Sequence, residues 1–199
     1  MRGDIQKRKI IMTEQDFTDQ LIAHIKSSIV DARIESHRSV LYEMPVSDDG
    51  NVHIGVDKDS GEAIRGNGMG FEQDILIFEE RIKGQATVIP RVIVEVKYDS
   101  VTTHDAIVYS YKADSIKRVY PFVRFGMVIG GFKTIPGRVL RLGKHFDFVI
   151  AVQYPFVAAQ IAEVNDLLKK ELDTSRSLGT MLRGKIKPRI VHKGFSMTQ

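Results

Sequence analysis

Asp74, and then Glu95 and Lys97 with one residue between them, are spaced in this 199-residue chain so that they could manage a metal ion and a phosphate. Side chains alternate along an extended strand, so Glu95 and Lys97 share one face while Val94 and Val96 turn to the opposite, apolar face. Asp74 stands at the head of a second apolar run, Ile75, Leu76, Ile77 and Phe78. If the two runs pair as a hairpin, Asp74 comes to lie beside Glu95 at one end of a sheet. Hard divalent cations such as Mg²⁺ take oxygen ligands, usually one or two carboxylates with water and substrate phosphate completing the shell. Asp74 and Glu95 would supply the carboxylates, and the backbone carbonyl of Val96, lying between the two functional side chains of its strand, could add a ligand. Such an ion polarises a phosphate ester and lowers the pKa of water. Lys97 would then orient that water or stabilise charge on the pentavalent phosphorane.

These residues need elements to hold them. Thr13, followed by Asp16 and the series Phe17, Leu21, Ile25, Ile29, predicts a capped amphipathic helix over 14–35. Residues 39–46 (SVLYEMPV) predict a strand, and 47–70 a hairpin and loop region. Two stronger strands follow at 71–78 (FEQDILIF) and 87–98 (TVIPRVIVEVKY), the second rich in β-branched residues. Residues 79–85 are expected to be the polar turn between them. Thr102 or Thr103 can cap a helix reaching Arg118, and Pro121 ends that segment. Strands are predicted at 122–129 and 146–152, and an amphipathic helix at 156–172. This order predicts an α/β fold, a mixed sheet flanked by helices.

Two apparent motifs yield to plainer readings. RGNGMG at 65–70 leads into a strand, whereas a phosphate loop leads into a helix, so a turn is expected. Thr103, His104 and Asp105 suit a helix N-terminus, and no nucleophile accompanies the His.

Charge distribution bears on the partner. The chain carries a formal +4, and between residues 106 and 146 eight Lys/Arg face a single acid, Asp114. Beyond Asp173 there are six more Lys/Arg and no acid. This asymmetry suits a polyanion. The stretch from Lys112 to Lys144 and the basic C-terminus would form a phosphate clamp. Residues 1–174 are expected to form one domain and 175–199 a basic tail. The absence of Cys excludes disulfides, thiolate metal sites and Cys nucleophiles. The charged N-terminus lacks the apolar core of a signal peptide, and no apolar run approaches the roughly 18 residues of a membrane span. A soluble, cytoplasmic protein is expected, with no membrane partner.

Asp74 with Glu95-Val96-Lys97 resembles the signature of the PD-(D/E)xK nuclease superfamily, which includes many restriction endonucleases and recombination or repair nucleases. The resemblance spans roughly residues 13–129, with Gln73 where the signature has Pro. It implies a restriction endonuclease-like core in which Asp74 and Glu95 bind Mg²⁺, with Mn²⁺ able to substitute, and Lys97 assists the attacking water. Hydrolysis would leave a 5′-phosphate and a 3′-hydroxyl. The helix carrying Tyr109 and Lys112 would face the DNA backbone, although Tyr109 suits packing equally well. Arg124 is either DNA-facing or structural. Glu43 is an extra acid near the metal or a surface acid, and Glu14 and Gln20 on the first helix are weaker candidates. The leading expectation is a Mg²⁺-dependent DNA endonuclease of type II-like restriction character, acting as a homodimer. The alternatives are a structure-selective repair or recombination nuclease, and a non-cutting DNA-binding module of the same fold.

Overall fold

A computed structural model describes residues 12–43, 70–83, 85–184 and 188–190. The chain opens with α1 (Glu14–Ser28), β1 (Arg33–Glu35) and β2 (Arg38–Leu41). β3 (Gly70–Gln73), β4 (Ile75–Lys83) and β5 (Gln85–Tyr98) follow. The remainder is α2 (Thr103–Val119), β6 (Arg124–Gly130), α3 (Gly137–Leu142), β7 (Phe148–Val152) and α4 (Ala158–Leu182).

Five strands form one mixed sheet in the order β1-β4-β5-β6-β7. β1, β4 and β5 pair antiparallel, whereas β5, β6 and β7 run parallel. The expected α/β architecture is therefore present. Strand alternation divides the sheet's side chains between two apolar layers. Ile75, Ile77, Val92, Val94 and Val96 pack on one side against Phe17, Leu21 and Ile25 of α1 and Leu168 and Leu172 of α4. Leu76, Phe78, Ile93 and Phe125 pack on the other against Ala113 and Ile116 of α2. Met127 and Ile129 meet Ala106 of α2 and Val139 of α3 on that second side. Each such side chain contributes roughly 1.5–3 kcal/mol on full burial. Phe17 can lie against β6 because Gly130 has no Cβ; an added one would stand 2.5 Å from the ring.

Both helix starts are set by local chemistry. Thr13 caps α1 and Thr102 caps α2, each in a capping box closed by an Asp three residues on. The expected helix 14–35 stops at Ser28, because residues 33–35 pair with β4 as β1. The expected turn at 79–85 is instead paired strand, the ladder running out to Lys83 opposite Gln85. Within that ladder Ile77 faces Val92 and Phe78 faces Pro90, so Arg91 is the extra residue of a bulge. The expected strand 71–78 is two strands broken at Asp74, with β3 pairing β2 in a separate two-stranded sheet. The Gly-rich loop at 65–69 and residues 44–69 as a whole lie outside the described residues.

The boundary expected at 174/175 falls inside a helix. α4 continues to Leu182, Ser175 is fully buried, and Arg176 pairs with Glu79 and Asp31. The segment just past 174 is thus part of the folded body. Residues 185–187 and 191–199 lie outside the described residues. No helix among the described residues is long and apolar enough to cross a membrane.

Candidate active site

The ladder between β4 and β5 ends at Ile75 opposite Val94, so among the described residues the next stretch of β5 has no strand paired with it on the β4 flank. Asp74 fills that place with its side chain. Its Oδ2 accepts the Val96 N–H at 2.7 Å, holding the carboxylate against β5 one residue from Glu95. The N–H and C=O of one strand residue point to the same flank in an antiparallel ladder. The Val96 carbonyl is therefore turned toward the same flank as Asp74.

Glu95 is only 1% exposed and lies on the α2 side of the sheet. Burial pushes its carboxyl up to about 8; Lys112 opposes that shift and the neighbouring Asp74 carboxylate adds to it. A carboxylate so placed demands a cation. In this structure the cation is Lys112, whose Nζ donates to Glu95 Oε1 and to the Glu72 carbonyl, each at 2.5 Å.

Lys97 shares the face of Glu95 but reaches round the end of the sheet. Its Nζ donates to Glu14 Oε1 at 2.9 Å, while Glu14 Oε2 accepts the Tyr98 N–H at 3.2 Å. The ammonium also lies over the Tyr109 ring, 5.4 Å from the centroid. Burial works against the charge on Lys97, but Glu14 and Tyr109 outweigh it and hold the pKa above its ordinary value. Burial raises the Tyr109 phenol in turn, Lys97 opposing and the charges of Glu95 and Asp74 assisting.

Asp74, Glu95 and Val96 thus come together as their spacing predicted, while the Lys97 ammonium is tied to Glu14, with Tyr109 beside it. Other expected residues fall elsewhere. Glu43 is exposed and lies just past β2. Arg38 at the start of β2 faces Gln73 next to Asp74, and the strand then runs away from it. The register therefore carries Glu43 away from the carboxylate pair. Lys112 does not present its ammonium to solvent; it is 8% exposed, and its charge is spent on Glu95. Tyr109 is half-buried between Lys97 and Lys112, at 5.4 and 5.7 Å, rather than on an outer surface. Arg124 is a structural cation, paired with Asp147 and Glu171. Gln20 contacts Met12 and Tyr154, not the site. His104 stays exposed on the first turn of α2 beside the Thr102 cap, as a capping segment requires.

Two residues acquire parts that were not assigned to them. Glu14, the first residue of α1, anchors Lys97. Lys112 neutralises Glu95 instead of a phosphate. A helical signal for Lys112 existed: it lies three residues after Tyr109 and four before Ile116, on the face that packs toward the sheet.

The donor set suits a Mg²⁺-like ion, which binds through one or two carboxylates and takes its other ligands from water and phosphate. Among the described residues no group of three or more His, Cys, Asp or Glu could form an all-protein cage. In comparison with known proteins, the chain matches no family model and no curated protein.

Proposed function

We propose that the protein is a metal-dependent DNA endonuclease of the PD-(D/E)xK type, with a restriction endonuclease-like core. One observation carries this reading: a buried carboxylate and a second carboxylate pinned to the same strand meet at one end of the β4–β5 pair, with an anchored ammonium two residues along that strand from the first. Asp74 and Glu95, with the Val96 carbonyl, would hold Mg²⁺ or Mn²⁺. When bound, the ion supplies positive charge to the scissile phosphate and lowers the pKa of water. Asp74 contributes a carboxylate whose direction is set by the Val96 amide. Glu95 contributes one whose burial strengthens its attraction to any cation. Lys97 stays charged, held by Glu14 in a fixed pose from which it stabilises the developing negative charge. Tyr109 excludes water from beside that ammonium.

A second reading, a non-cutting DNA-binding module of the same fold, draws on the Lys112 ammonium that already neutralises Glu95. Incubation of supercoiled plasmid with Mg²⁺, with EDTA, and with the Glu95→Gln and Lys97→Ala proteins decides between them. Cutting that needs metal and is lost in both variants supports the endonuclease. Discrete bands from a long plasmid then favour restriction-type sequence reading. Cuts confined to junctions, flaps or ends favour a structure-selective nuclease. DNA retention without cutting on plasmid, linear and branched substrates overturns the enzyme in favour of the module.

A further inference from the structure

Eight Lys/Arg lie between residues 106 and 146, and the fold divides them into two sets of four. Lys112 pairs with Glu95, Lys117 with Asp147, Arg118 with Asp114, and Arg124 with Asp147 and Glu171. These four are neutralised by the protein itself. Lys133, Arg138, Arg141 and Lys144 are exposed and have no acidic partner among the described residues. All four lie on the crossover between β6 and β7.

The crossover has two distinct sides. Phe132, Ile135, Val139, Leu142 and Phe146 turn inward, onto Met127, Ile129 and Ala106. The four cations occupy the other side, with Arg138 and Arg141 one helical turn apart on α3. Its position is as informative as its charge. Lys97 lies opposite Ile129 and Tyr98 opposite Gly130, so the crossover leaves the sheet at the end where Lys97 stands. Ligands of open α/β sheets bind beyond the carboxyl ends of the parallel strands. α3 also packs on α2, the helix that brings Tyr109 and Lys112 to the carboxylates.

We propose that the outer face of this crossover, carrying Lys133, Arg138, Arg141 and Lys144, is the surface that grips the phosphate backbone of a DNA duplex. The proposal rests on the reading that DNA is the substrate, and it replaces Lys112 and Arg124 as the backbone contacts. An anionic membrane fits less well. α3 has six residues; Val139 and Leu142 turn inward and Leu140 is its single exposed large apolar side chain, too little apolar surface to enter a bilayer. Four exposed cations without acids among them match a partner that offers one charge per phosphate along a line.

The test is fluorescence anisotropy of a labelled 25-bp duplex, in EDTA to prevent cutting, across a KCl series. It compares the full-length protein, the fourfold variant K133A/R138A/R141A/K144A, and K169A/K170A as a control on α4. Each phosphate contact contributes about 0.9 to the slope of log K against log salt. The fourfold variant is expected to lose about 3 to 4 units of slope and on the order of 100-fold in affinity near 0.15 M salt. The control is expected to stay within about threefold, as a protein with only a diffuse basic surface would not. Wild-type slope and affinity in the fourfold variant would overturn the proposal, as would an equal loss in the control. Capture of the wild type by phosphatidylserine vesicles but not by the duplex would overturn it in favour of a lipid surface. If circular dichroism shows that the fourfold variant is unfolded, R138A/R141A replaces it, with about 2 units of slope at stake. The failures separate cleanly. Plasmid cutting with unchanged binding in the variant sinks the surface and leaves the nuclease. Loss of binding in the variant without any cutting by the wild type sinks the nuclease and leaves the surface.

Discussion

Glu95 concentrates the energetics of the site, and its buried carboxyl titrates at about 8, against an ordinary value of 4.5. The sign follows from the direction of that shift. A folded-state pKa raised by burial favours the protonated native protein, so this contribution is fully present below the unfolded value and is lost as pH rises through about 8. The thermal midpoint of the wild type should therefore fall between about pH 5 and pH 9 relative to that of Glu95→Gln, which has no such proton to lose. Parallel curves for the two proteins would mean that Glu95 is solvated. If Glu95 holds the metal of the proposed nuclease, cleavage at limiting Mg²⁺ should rise with pH in the same window, because the metal would compete with a proton for the carboxylate. Lys112 belongs to the same unit. Removing one partner of a buried ion pair leaves the other uncompensated. Above about pH 8, where Glu95 is ionised, Lys112→Met should thus destabilise the wild type by about 2–4 kcal/mol but cost markedly less in the Glu95→Gln background. Urea denaturation of all four proteins measures the coupling, and strict additivity would sever the pair. Neither residue's partner follows from its own position in the chain: 17 residues of sequence separate Lys112 from Glu95, and the helix must pack on the sheet before they meet.

At the scale of elements, the agreement between expectation and structure tracks how local the chemistry is. The Thr13 and Thr102 caps are legible because the side chain, the amide it accepts from and the returning Asp all lie within four residues. Thr102→Ala should accordingly cost about 1 kcal/mol in chemical denaturation, while Lys97 and Glu95 remain on their own strand. A loss under about 0.3 kcal/mol would show that tertiary packing alone holds the start of α2. The ExK strand is legible for a similar reason, since alternation assigns each side chain of β5 to a face without reference to any neighbour. The strand break at Asp74 is not. FEQDILIF has an uninterrupted apolar run after its acid, but Asp74 takes a β5 amide with its carboxylate while β3 turns to pair with β2. β1 and α3 escaped notice because three and six residues carry too little periodicity to read.

For the molecule as a whole, the end of α4 acts as a clasp. Arg176 spans Glu79 on β4 and Asp31 ahead of β1, and Arg91, 4% exposed, holds both Glu79 and the Ser175 carbonyl. Ending the chain after Thr174 removes Arg176 and leaves Glu79 and Arg91 with fewer partners in a buried place. A loss on the order of 3 kcal/mol is expected relative to a chain ended after Gly184, which keeps Ser175 and Arg176. Equal midpoints for the two truncations would return residues 175–184 to the status of a tail. The sequence by itself determined the α/β class, the two capped helices, the shared face of Glu95 and Lys97, and the identity of the acids that meet there. All of these rest on periodicity or on contacts within a few residues. Only the tertiary structure decided that Lys112 serves Glu95, that Glu14 anchors Lys97, that Glu43 is carried away from the pair, and which half of the basic stretch has no acidic partner among the described residues. Those outcomes depend on which charges the folded chain brings within about 4 Å of one another, and pairing at that range is set by packing across the sheet rather than by spacing along the chain.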